Sequence, residues 1–290
     1  MCRLPVLLDT DIGSDIDDAV ALAYLLKKPQ CELLGITTVT GDVQKRAALA
    51  EAICRSVGRS HIPIHCGRRD VLLEGPGQPN VPQFEAIAAS KPRLDRPEND
   101  AVNFLQKTIR SRPGEITLLT IGPYSNVALL FAIDPEIPQL LKSIVSMGGV
   151  FYGGDRREWN ALVDPAATAI VYNTPRLNHL SVGLDVTEKC RMSADEVRSR
   201  FLGEPLDTVA KMATTWFKHA GEITFHDPLA AALIFHPELC TYESGKIEVH
   251  YGPGDPNSGQ TRLIRDKGAD RVAKTVDADA FFAEFFKACE

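Results

Sequence analysis

Residues 4–26 read LPVLLDTDIGSDIDDAVALAYLL, and this stretch decides the fold. The apolar run Val6–Leu8 ends directly in polar residues, which is typical of a short buried strand. The segment Ala19–Leu26 then shows the apolar pattern of a helix. Gly13 lies between the two, where the backbone must turn tightly. The stretch therefore predicts a strand, a turn and a helix at the start of an α/β domain.

The same alternation of strand and helix continues along the chain. Further strands are predicted at Leu33–Val39, Ile62–Ile64, Ile116–Ile121, Ile144–Met147 and Leu180–Leu184, and further helices at Gln44–Val57, Ala101–Ile109 and Pro165–Tyr172. Strands that alternate with helices pair in parallel, and the helices cover both faces of the sheet. We expect one α/β domain over residues 1–290, built on an open, mostly parallel central sheet. Residues 75–100 are rich in proline and charge and are predicted to be a loop excursion or active-site flap.

The bulk composition excludes several classes of partner. The chain has 290 residues, 44% hydrophobic and 24% charged, as in an ordinary folded protein. Its net charge is -6, without a basic run that could neutralise phosphates, so we expect no nucleic-acid polymer as partner. No stretch approaches the roughly 18 apolar residues of a membrane span, so we expect no membrane partner. The apolar N-terminal run is short and ends in Asp, which indicates a strand and not a signal peptide.

The cysteines indicate a reducing compartment. Their number is odd and no pair shows CxxC spacing, which argues against a disulfide framework and against zinc. We therefore expect a cytoplasmic protein in which each cysteine is a small buried apolar residue. The seven are Cys2, Cys31, Cys54, Cys66, Cys190, Cys240 and Cys289.

Polar residues and glycines follow four of the predicted strands. These segments are DTDIG at 9–13, TGD at 40–42, GPYSN at 122–126 and GG at 148–149. Ligands of open α/β sheets bind beyond the carboxyl ends of the strands. Ordinary turns use the same residue types, but four such ends in one sheet favour a binding site.

Five aspartates lie within ten residues of the first loop: Asp9, Asp11, Asp15, Asp17 and Asp18. Carboxylates this close repel each other and resist joint ionisation unless a cation lies among them or water surrounds them. Oxygen donors without histidine or cysteine suit a hard cation such as Ca²⁺ or Mg²⁺, and the spacing does not fit an EF-hand. Capping of a helix start explains one or two aspartates. It does not explain the pair at the strand end, so we favour a metal or catalytic role.

The first of these segments resembles the N-terminal signature of the inosine–uridine-preferring nucleoside hydrolase family. In that family a strand is followed by Asp-x-Asp-x-Gly and then by an Asp-Asp pair and Ala that open a helix. Six further segments follow in the order expected for the family. The seven are DTDIGSDIDDAVAL (9–22), GITTVTGD (35–42), GPYSNVAL (122–129), SMGGVFYGG (146–154), EWNALVDPAA (158–167), GLDVT (183–187) and FHDPLAAA (225–232).

The resemblance implies a Rossmann-like nucleoside hydrolase fold and a role in purine or pyrimidine salvage. The implied reaction is hydrolysis of the N-glycosidic bond of ribonucleosides to base and ribose, by a Ca²⁺-bound water. A homodimer or homotetramer is implied as well. Asp11 would bind the ion and act as the base, and His226 would lie near the departing base. The other implied ligands are Asp18, the backbone carbonyl of Ser125, and Asp227, and the implied substrate contacts are Asp17, Asp42, Met147, Glu158 and Asn160.

The chemistry of the reaction agrees with these roles. Cleavage of the bond builds positive oxocarbenium character on the sugar, which surrounding carboxylates stabilise. Calcium can bind the two ring hydroxyls together with a water molecule, and this orients the nucleophile.

The chain departs from the family pattern on the side that would meet the base. The first loop is two residues longer than is common, so Asp15 has no counterpart and is a further candidate ligand. Asp42 stands where many members carry Asn, and the loop at 151–157 is shorter and lacks their sugar-binding Asn. No histidine of residues 75–100 matches the one that some members use to protonate the base, which leaves the acid unassigned.

Other interpretations of single residues and of the whole chain stay open at this point. Asp227, before Pro228, also fits a helix N-cap, and His226 and Met147 also fit plain core positions. A non-catalytic nucleoside or sugar binder of the same fold is one alternative. A Mg²⁺-dependent aspartyl phosphohydrolase, which also opens with DTD after its first strand, is another. Such enzymes also need a downstream Lys and a late acidic pair, but no later Asp has the matching spacing and no Thr stands two residues after Asp11.

Overall fold

The computed structural model of the protein describes residues 3–175, 178–265 and 267–290. Its strands are β1 (Leu4–Thr10), β2 (Cys31–Thr38), β3 (Ile64–Cys66), β4 (Thr117–Thr120), β5 (Ser143–Met147), β6 (His179–Val182), β7 (Arg191–Ser193), β8 (Glu222–Thr224), β9 (Cys240–Val249), β10 (Thr261–Arg265) and β11 (Asp270–Val276). Its α-helices are α1 (Asp17–Lys27), α2 (Val43–Ser56), α3 (Ala101–Ser111), α4 (Ser125–Ile133), α5 (Ile137–Leu140), α6 (Trp159–Val163), α7 (Pro165–Asn173), α8 (Leu184–Thr187), α9 (Ala194–Arg200), α10 (Leu206–Trp216), α11 (His226–Ala232) and α12 (Ala278–Cys289).

A nine-stranded sheet in the order β10-β9-β11-β6-β5-β4-β1-β2-β3 forms the centre. The pairs from β3 to β11 are parallel, and β9 pairs antiparallel with both β10 and β11. The prediction of an open, mostly parallel sheet is therefore confirmed. The antiparallel extension at the β10 edge was not predicted from the sequence.

The chain reverses its direction of travel across the sheet between β1 and β4. From β1 it moves outward through β2 to β3, and it then returns to the other side of β1 to build β4, β5 and β6. The loops after β1 and β4 therefore diverge to opposite sides of the sheet and leave a crevice between them. This is the switch point at which open α/β sheets bind ligands.

Helices cover both faces of the sheet, because β1 carries apolar side chains on each face that must be buried. Val6 and Leu8 pack into one core with α1, α11 and α12, while Leu7 packs into a second core with α3, α4 and α7. Burial of each such side chain stabilises the fold by roughly 1.5–3 kcal/mol. Helix α1 is buried all round from Ala19 to Leu25, so its first residues are also held inside the protein.

Residues 75–100 form 3-10 turns at Pro82–Ala86 and Ala88–Ser90 and otherwise follow the surface. Gln83 is fully buried and fastens this flap to the first loop. Its side-chain amide donates to the carbonyls of Ser14, at 3.1 Å, and Asp15, at 2.7 Å. The flap therefore lies against the acidic loop that follows β1.

The predicted strands differ from the observed ones by one or two residues at their ends, and two of these differences have a local cause. The predicted strand at Leu180–Leu184 ends at Val182, because Gly183 precedes a helical turn that begins at Leu184. The predicted strand at Ile62–Ile64 begins only at Ile64, after Pro63, which has no N–H to donate to a neighbouring strand.

Six cysteines lie in the described part of the chain, and all six are buried and unpaired; Cys2 lies outside it. Among the helices described here, none is both long enough and apolar enough to cross a bilayer.

Candidate active site at the switch point of the sheet

Asp9 lies near the end of β1, just before the acidic loop. Its side chain joins the ends of three elements. It is fully buried and accepts hydrogen bonds from the Thr37 hydroxyl on β2 and, at 2.8 Å, from the Asn126 amide on α4. Burial raises the pKa of Asp9 to about 7. It does not line the cavity described below, and its observed contacts join the ends of β1, β2 and α4.

Three carboxylates meet at the start of two helices. Asp17 and Asp18 open α1, and Asp227 is the second residue of α11, which packs against α1. One oxygen of each lies within 4.8 Å of the others, and all three residues are buried. The N-cap interpretation of Asp227 is wrong, because α11 begins at His226, so Asp227 is already the second residue of the helix and Phe225 is its N-cap. The N-cap residue of α1, Ile16, makes no side-chain capping bond either.

Burial and crowding make these carboxylates costly to ionise. Burial is the main cause that raises the pKa of Asp17, Asp18 and Asp227 well above the usual range, and the negative charges of their neighbours add to it. Burial also raises the pKa of Asp11, which the nearby Arg46 opposes. A divalent cation would remove this cost. The donor set, carboxylate oxygens alone, fits Ca²⁺ or Mg²⁺.

The carboxylates line a cavity of about 270 Å³ at the switch point. Its lining residues are Asp11, Ser14, Asp15, Asp17, Asp18, Gln78, Ile121, Met147, Arg157, Glu158, Trp159, Asn160, Leu184, His226 and Asp227. Most of the residues predicted for the site are therefore brought together. The backbone passes closely here, since a Cβ at Gly122 would lie 2.8 Å from the Asp11 nitrogen. Only glycine after β4 allows Asp11 to approach the end of that strand.

Glu158 and Asn160 form another part of the cavity wall. Glu158 caps α6 and accepts from the backbone N–H groups of Asn160 at 2.7 Å, Ala161 at 3.0 Å and Gly149 at 3.1 Å. Burial raises the pKa of Glu158 to about 7. The Asn160 amide nitrogen donates to carbonyl oxygens at the ends of β4 and β5. This orientation leaves the Asn160 oxygen as the acceptor for a ligand.

His226 lines the cavity next to Asp227. Its Nδ1 lies 2.7 Å from the hydroxyl of Thr187, at the end of α8. Burial lowers the pKa of His226 to about 4, so the ring is neutral near neutral pH.

Two predicted site residues lie outside the cavity lining. The hydroxyl of Ser125 donates to Asp164 at 2.6 Å, and its proposed role through the backbone carbonyl stays a prediction. Asp42 accepts from the Lys45 N–H at 3.1 Å to cap α2 and also pairs with the Lys45 ammonium at 3.0 Å. The structure therefore gives Asp42 a helix-capping role, and we leave it out of the proposed substrate contacts.

A second, shallower chamber adjoins the cavity and was only partly predicted. Ser14, Asp15, Gln78 and Trp159 line both spaces. The chamber is completed by Asn80, Pro82 and Trp216. Trp216 ends α10, far along the chain, and no local sequence signal distinguishes it from an ordinary helix residue.

Comparison with known proteins gives one consistent family. The family model for inosine-uridine preferring nucleoside hydrolases matches residues 6–283. The pyrimidine-specific ribonucleoside hydrolase RihA of Enterobacter sp. is 32% identical over 91% of this chain and 93% of its own. The non-specific ribonucleoside hydrolase RihC of Escherichia coli is 30% identical over 96% of both chains. The solved structure of a purine-preferring ribonucleoside hydrolase from Gardnerella vaginalis has a TM-score of 0.82 at 25% identity, covering 98% of each chain.

Proposed function

This chain belongs to the inosine-uridine preferring nucleoside hydrolase family, an enzyme family that hydrolyses the N-glycosidic bond of ribonucleosides, and from that premise we propose that it uses Ca²⁺ and the base Asp11. The observation that carries the proposal is the convergence of Asp17, Asp18 and Asp227 beside Asp11 in one cavity. These residues come from two helices that are far apart in the sequence. A buried group of like charges is stable only when it binds a cation or protons.

Of these four aspartates, Asp11, Asp18 and Asp227 would hold the ion, and Asp17, which lies beside them, would be left to contact the substrate. Asp15 and the Ser125 carbonyl are further candidate ligands. A bound divalent cation supplies a Lewis acid that makes water easier to deprotonate and a positive centre that attracts neighbouring hydroxyls. The oxygen-only donor set supports Ca²⁺ or Mg²⁺ over zinc.

Asp11 would take one proton from the attacking water. The oxygen of that water bonds to the anomeric carbon while the carbon–nitrogen bond breaks, and the bonding electrons leave with the base. The close packing of Gly122 on Asp11 limits the positions that its carboxylate can take. A fixed base removes the cost of orienting it in each turnover. The departing base would take up a proton from solvent, and the neutral ring of His226, which lines the cavity, would orient it.

The remaining carboxylates would bind the ribose. Asp17 and the Asn160 oxygen would accept hydrogen bonds from the two ring hydroxyls, with Glu158 near the 5'-hydroxyl and Met147 against the ring. Glu158 and Asp17 would also stabilise the positive charge that develops on the sugar.

The base would lie towards the outer chamber, between Trp159 and Trp216. Indole rings stack well on any flat heterocycle. The names of the relatives include pyrimidine-specific, non-specific and purine-preferring enzymes, so the proposal stops at ribonucleosides as a class. We also propose that the chain forms a single domain and acts in the cytoplasm. We further propose a homodimer or homotetramer, and light scattering of the purified protein tests this oligomeric state.

The decisive experiment measures free ribose from a panel of purine and pyrimidine nucleosides, with and without chelator. The proposal expects ribose release that the chelator abolishes and added Ca²⁺ restores. Nucleoside binding without turnover would indicate a non-catalytic binder. Phosphate release from small phosphomonoesters without ribose release would indicate a phosphohydrolase. That alternative is disfavoured because no lysine lines the cavity within the described residues.

A further inference from the structure

Arg46, in the first turn of α2, is fully buried directly behind the acidic loop. Its guanidinium donates to oxygen atoms of three separate segments. These bonds reach the carbonyls of Asp11, Ile12 (3.1 Å), Thr40 (2.8 Å) and Gln78 (2.7 Å), and the Ser14 hydroxyl (3.3 Å). One side chain therefore connects the acidic loop, the turn after β2 and the flap.

A buried guanidinium is costly unless its donors are satisfied and its charge is balanced. Here its hydrogen-bond acceptors are backbone carbonyls and one hydroxyl, and no carboxylate of the described residues accepts from it. Its charge is balanced at longer range by Asp11, Asp18 and Asp42. The planar fork of arginine can satisfy several acceptors at once in fixed directions, which the single ammonium of lysine cannot do.

Two of the three segments that Arg46 joins border the cavity. Asp11 and Ser14 line it from the acidic loop, and Gln78 lines it from the flap. The flap also packs tightly on the turn after β2, since a Cβ at Gly41 would lie 2.3 Å from the Gln78 carbonyl oxygen. Two buried side chains, Arg46 and Gln83, thus fasten the flap to the acidic loop, and of these two it is Arg46 that also reaches the turn after β2.

We propose that Arg46 is a positioning residue that holds the acidic loop against the flap. It thereby orders both the proposed cation site and the part of the cavity wall that the flap provides. This inference rests on the proposed function for its catalytic consequence. Its structural consequence, order in the two segments, does not depend on which reaction the site performs.

The test compares Arg46→Lys and Arg46→Met with Arg96→Lys and Arg96→Met in the full-length protein. Arg96 is a matched control, because it is also buried and its guanidinium bonds to Glu51 and the Arg93 carbonyl, outside the cavity lining. Calcium affinity is measured by calorimetry on metal-free protein. Hydrogen exchange is followed at residues 11–16 and 75–83. Circular dichroism and thermal unfolding identify any variant that fails to fold.

Both Arg46 variants should weaken calcium binding about tenfold or more and accelerate exchange in both segments, because neither replacement restores the fork. The Arg46 variants should also raise KM for nucleosides. This increase should be larger than that of Arg96 variants that have lost the same amount of thermal stability. If only the Lys variant folds, it decides the test by itself.

Wild-type affinity and exchange in Arg46→Lys would overturn the proposal. So would tighter calcium binding in Arg46→Met alone, since that result would mean that Arg46 acts only through its charge. If the wild-type protein binds no calcium and releases no ribose, the proposed function fails. The exchange of the two segments then still decides the role of Arg46.

Discussion

The backbone N–H of Asp227 donates a hydrogen bond to the carboxylate of Asp17, 3.3 Å away, across 210 positions of the sequence. This bond joins the first turn of α11 to the first turn of α1 and holds the second acidic segment against the first. The cation site therefore depends on the packing of two helices, and its affinity should respond to changes at either helix start.

Calcium should stabilise the folded protein, because it binds a site that the unfolded chain lacks. A free Ca²⁺ concentration of 100 times Kd should raise the free energy of unfolding by roughly 2.7 kcal/mol. We expect the thermal midpoint to rise with Ca²⁺ and to fall again with chelator. A midpoint that does not depend on calcium in the wild-type protein would contradict the site.

Asp227→Asn should raise the free energy of unfolding without metal and lower it when Ca²⁺ is bound. Without metal the variant loses one of several crowded buried charges, and it should gain roughly 1 kcal/mol. With Ca²⁺ the wild type should be the more stable protein. Denaturant unfolding with and without calcium measures both values, and a loss of stability in both conditions would show that the aspartate serves packing alone.

Asp11→Asn should lower kcat by about 10²–10⁴-fold, the usual contribution of a positioned general base. The asparagine keeps the shape of the side chain, so the fold should persist. Asp42→Asn is the matched control, because asparagine also caps helices well, and it should leave kcat/KM unchanged. Steady-state ribose release measures both, and an active Asp11→Asn enzyme would exclude this aspartate as the base.

Trp159→Ala should raise KM by about tenfold while calcium affinity stays the same, because stacking of a base on an aromatic ring is worth roughly 1–3 kcal/mol. Trp159 is 47% exposed, so its removal should cost the fold little. Tyr251, a similarly exposed aromatic residue outside the cavity, provides the control in Tyr251→Ala. Equal KM values in the two variants would exclude stacking on Trp159.

Asp134 gives the fold a contribution that acid removes. Hydrogen bonds from Arg110 and Gln106 lower its pKa to about 2. A carboxyl group whose folded-state pKa is lowered stabilises the protein above its unfolded-state pKa, and this stability is lost as the pH falls through the folded-state value. The difference in unfolding free energy between wild type and Asp134→Asn should therefore shrink between about pH 4 and pH 2. A difference that stays constant over this range would contradict the assignment.

Much of the fold could be predicted from local patterns. The apolar run Val6–Leu8 specifies a buried strand, and the apolar residues from Ala19 onward specify a buried helix. Each pattern can be recognised from a few neighbouring residues. The aspartates between them predict a cation site with oxygen ligands. The antiparallel strand β9, which lies between β10 and β11, escaped prediction, because its buried and exposed side chains do not alternate regularly.

The sequence by itself determined the α/β class, the place of the acidic loop after the first strand and the family to which the chain belongs. Only the tertiary structure decided that Asp227 joins Asp17 and Asp18, that Asp42 caps a helix, and that Arg46 fastens the acidic loop to the flap. The physical reason is that propensity and periodicity act over neighbouring residues. The direction of a buried hydrogen bond, by contrast, is set by elements that meet only when the whole chain has packed.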